Sequence, residues 1–225
     1  MNRLKTLFKR LKRDQKCGLI AYVTCGDPDV ATTPRIVQEL ERAGVDAVEL
    51  GVPFSDPIAD GPVIQAASQR ALERGATTND LFAIARTIRA TSQIPLIAFS
   101  YVNPVMRYGP ERFARDATDA GIDAILFTDL PPEAAGEIRE IFRSHGMATV
   151  FLLAPTSSDK RVRLAVSIAM FCTSATDPAY CSTRRRHLRL STAQANTGVS
   201  APASAGTKRT AVTVCPKAHS AAATR

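Results

Sequence analysis

Apolar positions along the chain fall into short blocks separated by longer stretches with helical spacing. Blocks rich in β-branched and aliphatic residues occupy 19–24, 47–50, 96–99, 124–128 and 148–153. Each is followed by a turn and then a helix-like segment, at 33–43, 62–74 with 79–90, 111–120, 132–144 and 158–166. Pro62, Pro110 and Pro132 stand at predicted first helical turns, where a missing N–H leaves no bond unmade. Blocks that are apolar throughout, in rotation with helices, predict parallel β/α units covered on both faces.

Five such units are legible between residues 17 and 170. A doubly wound open sheet and an eightfold β/α barrel both accommodate them. No Gly-x-Gly-x-x-Gly follows the first block; Thr24-Cys25-Gly26-Asp27-Pro28 stands there instead, which disfavours the dinucleotide fold. The expected class is α/β, a (β/α)8 TIM barrel with the first five units recognisable. In a barrel, chemistry gathers on the loops at the C-terminal ends of the strands.

Before the first block, Leu4, Leu7, Phe8 and Leu11 form one apolar stripe among Lys5, Lys9, Arg10, Lys12 and Arg13. A membrane-surface or targeting helix reads this way, and so does a helix that packs over one end of the domain. The stripe is only four residues long, which favours packing.

Charge divides the chain in two. The net charge of +8 is not spread evenly: residues 1–170 hold 21 Lys and Arg against 20 Asp and Glu, whereas 171–225 hold eight against one. Composition changes at the same place, where 27 of the last 55 residues are Ala, Ser or Thr. Such a segment buries too little apolar surface to offset ordering entropy of roughly 1–2 kcal/mol per residue. The expected division is therefore a partial barrel domain over 1–170 and a disordered basic tail over 171–225. The arginine cluster at 184–189 has no interleaved aromatics, so a solvated tail is expected, with no nucleic-acid partner. No apolar run reaches the roughly 18 residues of a membrane span, and no secretory signal is recognisable, so no membrane association is expected. The five cysteines form no CxxC pair and no metal-ligand spacing; no metal, no disulfide framework and a cytoplasmic location are expected.

One connection carries candidate chemistry: Glu49-Leu50-Gly51-Val52-Pro53-Phe54-Ser55-Asp56-Pro57-Ile58-Ala59-Asp60-Gly61-Pro62. It runs about eleven residues, where βα loops usually take about 2–6. Glu49, between Val48 and Leu50 at a strand end, points a carboxyl into the barrel mouth, where apolar neighbours raise its pKa and suit it to acid–base work. Asp60 returns a second carboxyl from the far end. Two carboxyls in unlike environments can share one proton-transfer reaction. Structural roles are equally open at this stage: Asp60 as a cap for the helix at Pro62, and Glu49 as half of a buried pair with an arginine.

The stretch from Val48 to Gln65 resembles the signature of the tryptophan synthase alpha chain family. The likeness extends to Ala21-Tyr22-Val23-Thr24, Gly26-Asp27-Pro28, Tyr101-Val102-Asn103-Pro104, Gly121-Ile122-Asp123 and Asp129-Leu130-Pro131, covering about residues 1–168. It implies an eightfold β/α barrel and a lyase of tryptophan biosynthesis. That enzyme cleaves indole-3-glycerol phosphate to indole and glyceraldehyde 3-phosphate by retro-aldol chemistry. Glu49 then matches the proton-transferring acid–base, and Asp60 the carboxylate at the indole N–H. Tyr22, Phe99, Tyr101, Leu126, Thr128 and Leu152 match indole-lining positions, each of which also reads as plain core. Pro53, Asp56 and Asn103 match surface used against a beta chain in an alpha2-beta2 tetramer. No cofactor is implied for this chain, because pyridoxal phosphate belongs to the beta chain.

After about Val166 the likeness stops. The family's sixth strand and the glycine-rich phosphate loops after strands seven and eight have no counterpart in the sequence, and Tyr180 does not replace the tyrosine beyond strand five. The expectation is an interrupted alpha chain, consistent with an out-of-frame reading of a GC-rich gene. It leaves strands one and five with unpaired edges. A catalytically dead remnant that only binds a beta chain is the alternative reading.

Overall fold

The computed structural model describes residues 2–154 and 156–168, and the strand backbones of 171–174 and 211–214. Six strands run parallel in chain order: β1 (Gly18–Thr24), β2 (Ala47–Gly51), β3 (Leu96–Ser100), β4 (Ala124–Phe127), β5 (Ala148–Leu153) and β6 (Phe171–Ser174). A seventh, β7 (Ala211–Val214), pairs antiparallel with β1 on the side away from β2. From β1 to β6 every strand lies beside the next in sequence, with no point where the order reverses. A doubly wound sheet requires such a reversal. The winding is that of a β/α barrel.

The helices are α1 (Arg3–Arg13), α2 (Thr32–Arg42), α3 (Pro62–Glu73), α4 (Thr78–Arg89), α5 (Val102–Tyr108), α6 (Pro110–Asp119), α7 (Gly136–Ser144) and α8 (Asp159–Ile168). Two differ from the sequence expectation. The segment 132–144 is broken into a 3-10 turn, Pro132–Ala134, followed by α7, and α5 lies where no helix is predicted.

Alternate strand residues enter different cores. Val23, Val48, Leu50, Leu96, Ala98, Ile125 and Phe127 pack outward against the helices, through residues such as Val37, Leu81, Ile88, Phe113 and Phe142. Ile20, Ala47, Ile97, Ala124, Leu126, Ala148 and Val150 form an inner core. Both faces are therefore dry, which is why the strands read as continuous apolar blocks. Leu4, Leu7 and Leu11 of α1 belong to the inner core, and all three are buried. The stripe that also read as a membrane helix plugs the N-terminal end of the barrel, each leucine contributing about 1.5–3 kcal/mol of burial.

Polar contacts seat that plug. Asn2 donates through Nδ2 to the Asp123 carbonyl at 2.6 Å, and its own side chain accepts from Lys5 N to cap α1. The buried Asp123 carboxylate accepts from Arg3 N, Arg3 Nη1, Arg89 Nη2 and Leu96 N. One carboxylate thus ties α1, α4 and the start of β3 together, at the end of the barrel opposite Glu49.

The expectation of a wholly unstructured 171–225 is corrected at two places, since β6 pairs with β5 and β7 with β1. The expected unpaired edges at strands one and five are therefore covered. Four-residue blocks suffice for this because backbone ladder bonds do not depend on side-chain type. The rest of that segment, including the 184–189 cluster and Tyr180, lies outside the described residues. Cys17 is disulfide-bonded, while Cys25 is free and buried. Among the described residues no helix is long and apolar enough to cross a membrane.

Candidate active site

Register brings the candidate residues to one end of the barrel. Glu49 lies opposite Tyr22 of β1 and Ile97 of β3, and Gly51 opposite Thr24 and Phe99. Leu126 of β4 is the partner of both Phe99 and Val150. Tyr22, Glu49, Phe99 and Leu126 therefore point inward from four adjacent strands, Leu126 as part of the inner core that α1 closes and Phe99 packed against it. Thr128 and Leu152 continue the same faces of β4 and β5, and both line a cavity of about 320 Å³ that reaches Ser157 and Arg161.

Glu49 is only 3% exposed. Burial alone pushes its carboxyl up to about 7. The alternative of a buried pair is not met: among the described residues no arginine or lysine forms an ion pair with it. A carboxyl poised near neutrality can both give and take a proton at ordinary pH.

Asp60 is held at the far end of the loop. Asp60 N donates to Pro57 O at 3.0 Å, closing a turn with Ile58 at its exposed tip. Tyr101 Oη accepts from Ala59 N at 2.9 Å and donates to Asp60 Oδ2 at 3.2 Å. Partial burial raises the Asp60 carboxyl above its ordinary range, and the Tyr101 hydrogen bond opposes that rise. The capping alternative also fails, because the N-cap of α3 is Gly61 and makes no side-chain bond.

Tyr22 is the register partner of Glu49 on β1. Its ring crosses Gly51 so closely that a Cβ there would lie 2.0 Å from Oη. Thr24 Oγ1 donates to the same hydroxyl at 3.4 Å, and Phe99 meets the ring edge-to-face at 5.0 Å between centroids. Burial raises the Tyr22 hydroxyl well above its usual range, with a further push from the negative charges of both Asp60 and Glu49.

The remaining candidates divide. Tyr101 is buried and packs on Phe54 with centroids 5.1 Å apart. Thr128 Oγ1 is buried with no hydrogen-bond partner among the described residues. Pro53 is buried, whereas Asp56 and Asn103 are exposed on the outer surface. Ser55 Oγ donates to Asp56 Oδ2 at 2.5 Å.

A family model described as tryptophan synthase alpha chain matches residues 8–173. The chain belongs to the tryptophan synthase alpha chain family. Among curated members, the Solibacter usitatus protein is 52% identical over 164 residues, which is 73% of this chain and 61% of that one. The Geotalea daltonii protein is 47% identical over 163 residues, 72% of this chain and 62% of that one. A solved alpha subunit from Legionella pneumophila superposes with a TM-score of 0.75 at 37% identity, covering 77% of this chain and 67% of that one. A chain from the tryptophan synthase a2b2 complex of Pyrococcus furiosus gives 0.67 at 39% identity, covering 70% and 66%. The chain spans about three fifths of the length of the curated relatives it matches. The family match reaches Thr173, inside β6, and so extends a little past the limit expected from the sequence.

Within this member of the family, residues that the sequence reading passes over also shape the site. Gly51 supplies the space for Tyr22. Asp129 accepts from Val102 N at 2.9 Å and so caps α5, which delivers Tyr101. Gln65 donates to the carbonyls of Pro57 and Asp60 at 3.2 and 2.8 Å. None of these has a local sequence signal beyond its place in the family signature.

Proposed function

We propose that this chain carries the acid–base centre of a carbon–carbon lyase. The reaction is retro-aldol cleavage of indole-3-glycerol phosphate to indole and glyceraldehyde 3-phosphate, a step of tryptophan biosynthesis. The observation that carries the reading is the buried Glu49 carboxyl, raised to about 7 with no ion pair among the described residues, at the start of the connection that carries Asp60.

In this reading protonated Glu49 delivers its proton to indole C3, turning the ring into an electron sink. The Asp60 carboxylate accepts from the ring N–H and offsets the positive charge that develops there. Glu49, now a carboxylate, takes the proton of the adjacent glycerol hydroxyl. The carbon–carbon bond breaks, its electron pair restores the indole ring, and the hydroxyl carbon leaves as the aldehyde. Glu49 ends protonated, as it began. Tyr22, Phe99, Tyr101, Leu126, Thr128 and Leu152 line the aromatic part of the site.

The partner in this reading is a beta chain in an alpha2-beta2 assembly, met through Pro53, Asp56 and Asn103, with Asp56 and Asn103 on the surface. Pyridoxal phosphate belongs to that partner, the alpha chain needs no cofactor, and the location is the cytoplasm. A second reading, a remnant that binds a beta chain without turnover, is favoured by one fact: the match covers only 61–62% of those relatives' length. Phosphate sites in such barrels come from the loops after strands seven and eight. Indole release from indole-3-glycerol phosphate, with Glu49→Gln as control, and stimulation of a beta chain by the same preparation separate the two. Release lost on that substitution supports the lyase; stimulation without release supports the remnant.

A further inference from the structure

The helix that follows Asp60 is docked in an unusual way. Of α3, only Ala67, Ser68 and Ala71 are buried, so it offers the core no large apolar side chain. Its hold on the barrel is polar. Arg70 donates from Nε to Asp27 Oδ1 at 3.0 Å and from Nη2 to Asp27 Oδ2 at 2.7 Å, a two-pronged contact with a buried carboxylate in the loop after β1. Arg74 Nη1 donates to Pro28 O at 2.6 Å in the same loop. Forked guanidinium–carboxylate pairs fix orientation as well as distance.

One turn nearer its N-terminus, α3 grips the candidate catalytic loop. The Gln65 amide Nε2 donates to the carbonyls of both Pro57 and Asp60, the two ends of the turn that carries the Asp60 carboxyl. Opposite it, Tyr101 holds Ala59 N and Asp60 Oδ2. The turn is thus clamped from two sides, by a β3–α5 residue and by α3. The α3 side rests on the Asp27–Arg70 fork beneath it, with the Arg74 bond to Pro28 O and the buried Ala67, Ser68 and Ala71 beside it.

We propose that Gln65 and Arg70 are positioning residues for Asp60: Arg70 locks α3 onto the Asp27 loop, and Gln65 transmits that position to the Asp60 turn. The consequence for turnover rests on the lyase reading above; the placement of the carboxyl does not. Neither residue touches the site itself, so each acts through Asp60.

The full-length chain tests this with Q65L, R70M and R70K, followed by two readouts. The first is the titration of the Asp60 carboxyl by carbon NMR. Q65L and R70M should shift it downward, towards the ordinary carboxylate range, as the turn swings away from Tyr101 into water. R70K, keeping the charge but not the fork, should shift it less. The second is indole release, where kcat should fall about 10- to 100-fold with KM within about twofold, because misplacement costs the chemical step more than binding. An Asp60 titration unchanged in a folded Q65L and R70M overturns the proposal. Should R70M fail to fold, Q65L decides alone, since its side chain is exposed and its loss empties no core. Should the unsubstituted chain release no indole, the lyase reading fails, and the Asp60 titration still decides the positioning.

Discussion

The Tyr101 hydroxyl bridges the two faces of the Asp60 turn, accepting from Ala59 N and donating to Asp60 Oδ2. The bond to the carboxylate is what opposes the upward push of burial on Asp60. Tyr101→Phe removes it and leaves Ala59 N–H without this acceptor. The Asp60 titration should then move further up, and folding stability should drop by about 1 kcal/mol. Carboxyl NMR and thermal melts check both, and a downward shift of Asp60 would count against the bridge.

Glu49 links the site to pH. Its carboxyl is raised from 4.5 to about 7 in the folded chain, so the fold disfavours the ionised form. The stability contributed by neutral Glu49 is fully present below 4.5 and is lost as pH rises through about 7. Glu49→Gln cannot ionise. The variant should match the parent near pH 4.5 and exceed it by roughly 3 kcal/mol at pH 8. Urea midpoints at the two pH values measure this; a gap that does not grow with pH contradicts a buried, unpaired carboxyl.

Gly51 and Tyr22 are a coupled pair. A Cβ at 51 would lie 2.0 Å from the Tyr22 hydroxyl, so Gly51→Ala must displace the ring. A loss of about 1–3 kcal/mol is expected, as for other overpacked sites. The double variant with Tyr22→Ala should recover part of it, and the coupling energy from a double-mutant cycle is the measurement. Strict additivity would show that the ring is not the obstacle.

Asp123 should be the costliest polar residue to lose at the closed end. It is buried and accepts from groups on α1, α4 and β3, and Arg89, paired with it, is itself mostly buried. Asp123→Ala strands that guanidinium, with an expected loss of about 3–5 kcal/mol. Arg10→Ala, which breaks the more exposed pair with Asp46, should cost about 1 kcal/mol or less. Denaturant midpoints of the two variants would reverse this order only if Asp123 were not the tie that seats α1.

Much of the fold was legible because its signals are local. The strands at 47–51 and 148–153 and the helix at Pro62 follow from apolar blocks, period and a first-turn proline, all within a few residues. Helix α5 was not legible: it is seven residues long and takes its N-terminal partner from Asp129, 27 positions away. Strands β6 and β7 escaped for a related reason, since four residues inside an Ala/Ser/Thr-rich segment become strands only through a neighbour's ladder.

At the site the same division holds. The sequence by itself determined that two carboxyls flank one proline-rich connection after the second strand, because that information lies in fourteen consecutive residues. Tertiary structure alone decided that Glu49 is left without a counter-charge among the described residues, that Tyr22 reaches across Gly51, and that α3 is forked onto Asp27 through Arg70. Those relationships join residues tens of positions apart through strand register and helix docking. The apolar neighbours Val48 and Leu50 already pointed to a raised Glu49 carboxyl, but residue spacing left an arginine partner open; only packing shows that none of the described residues supplies that counter-charge.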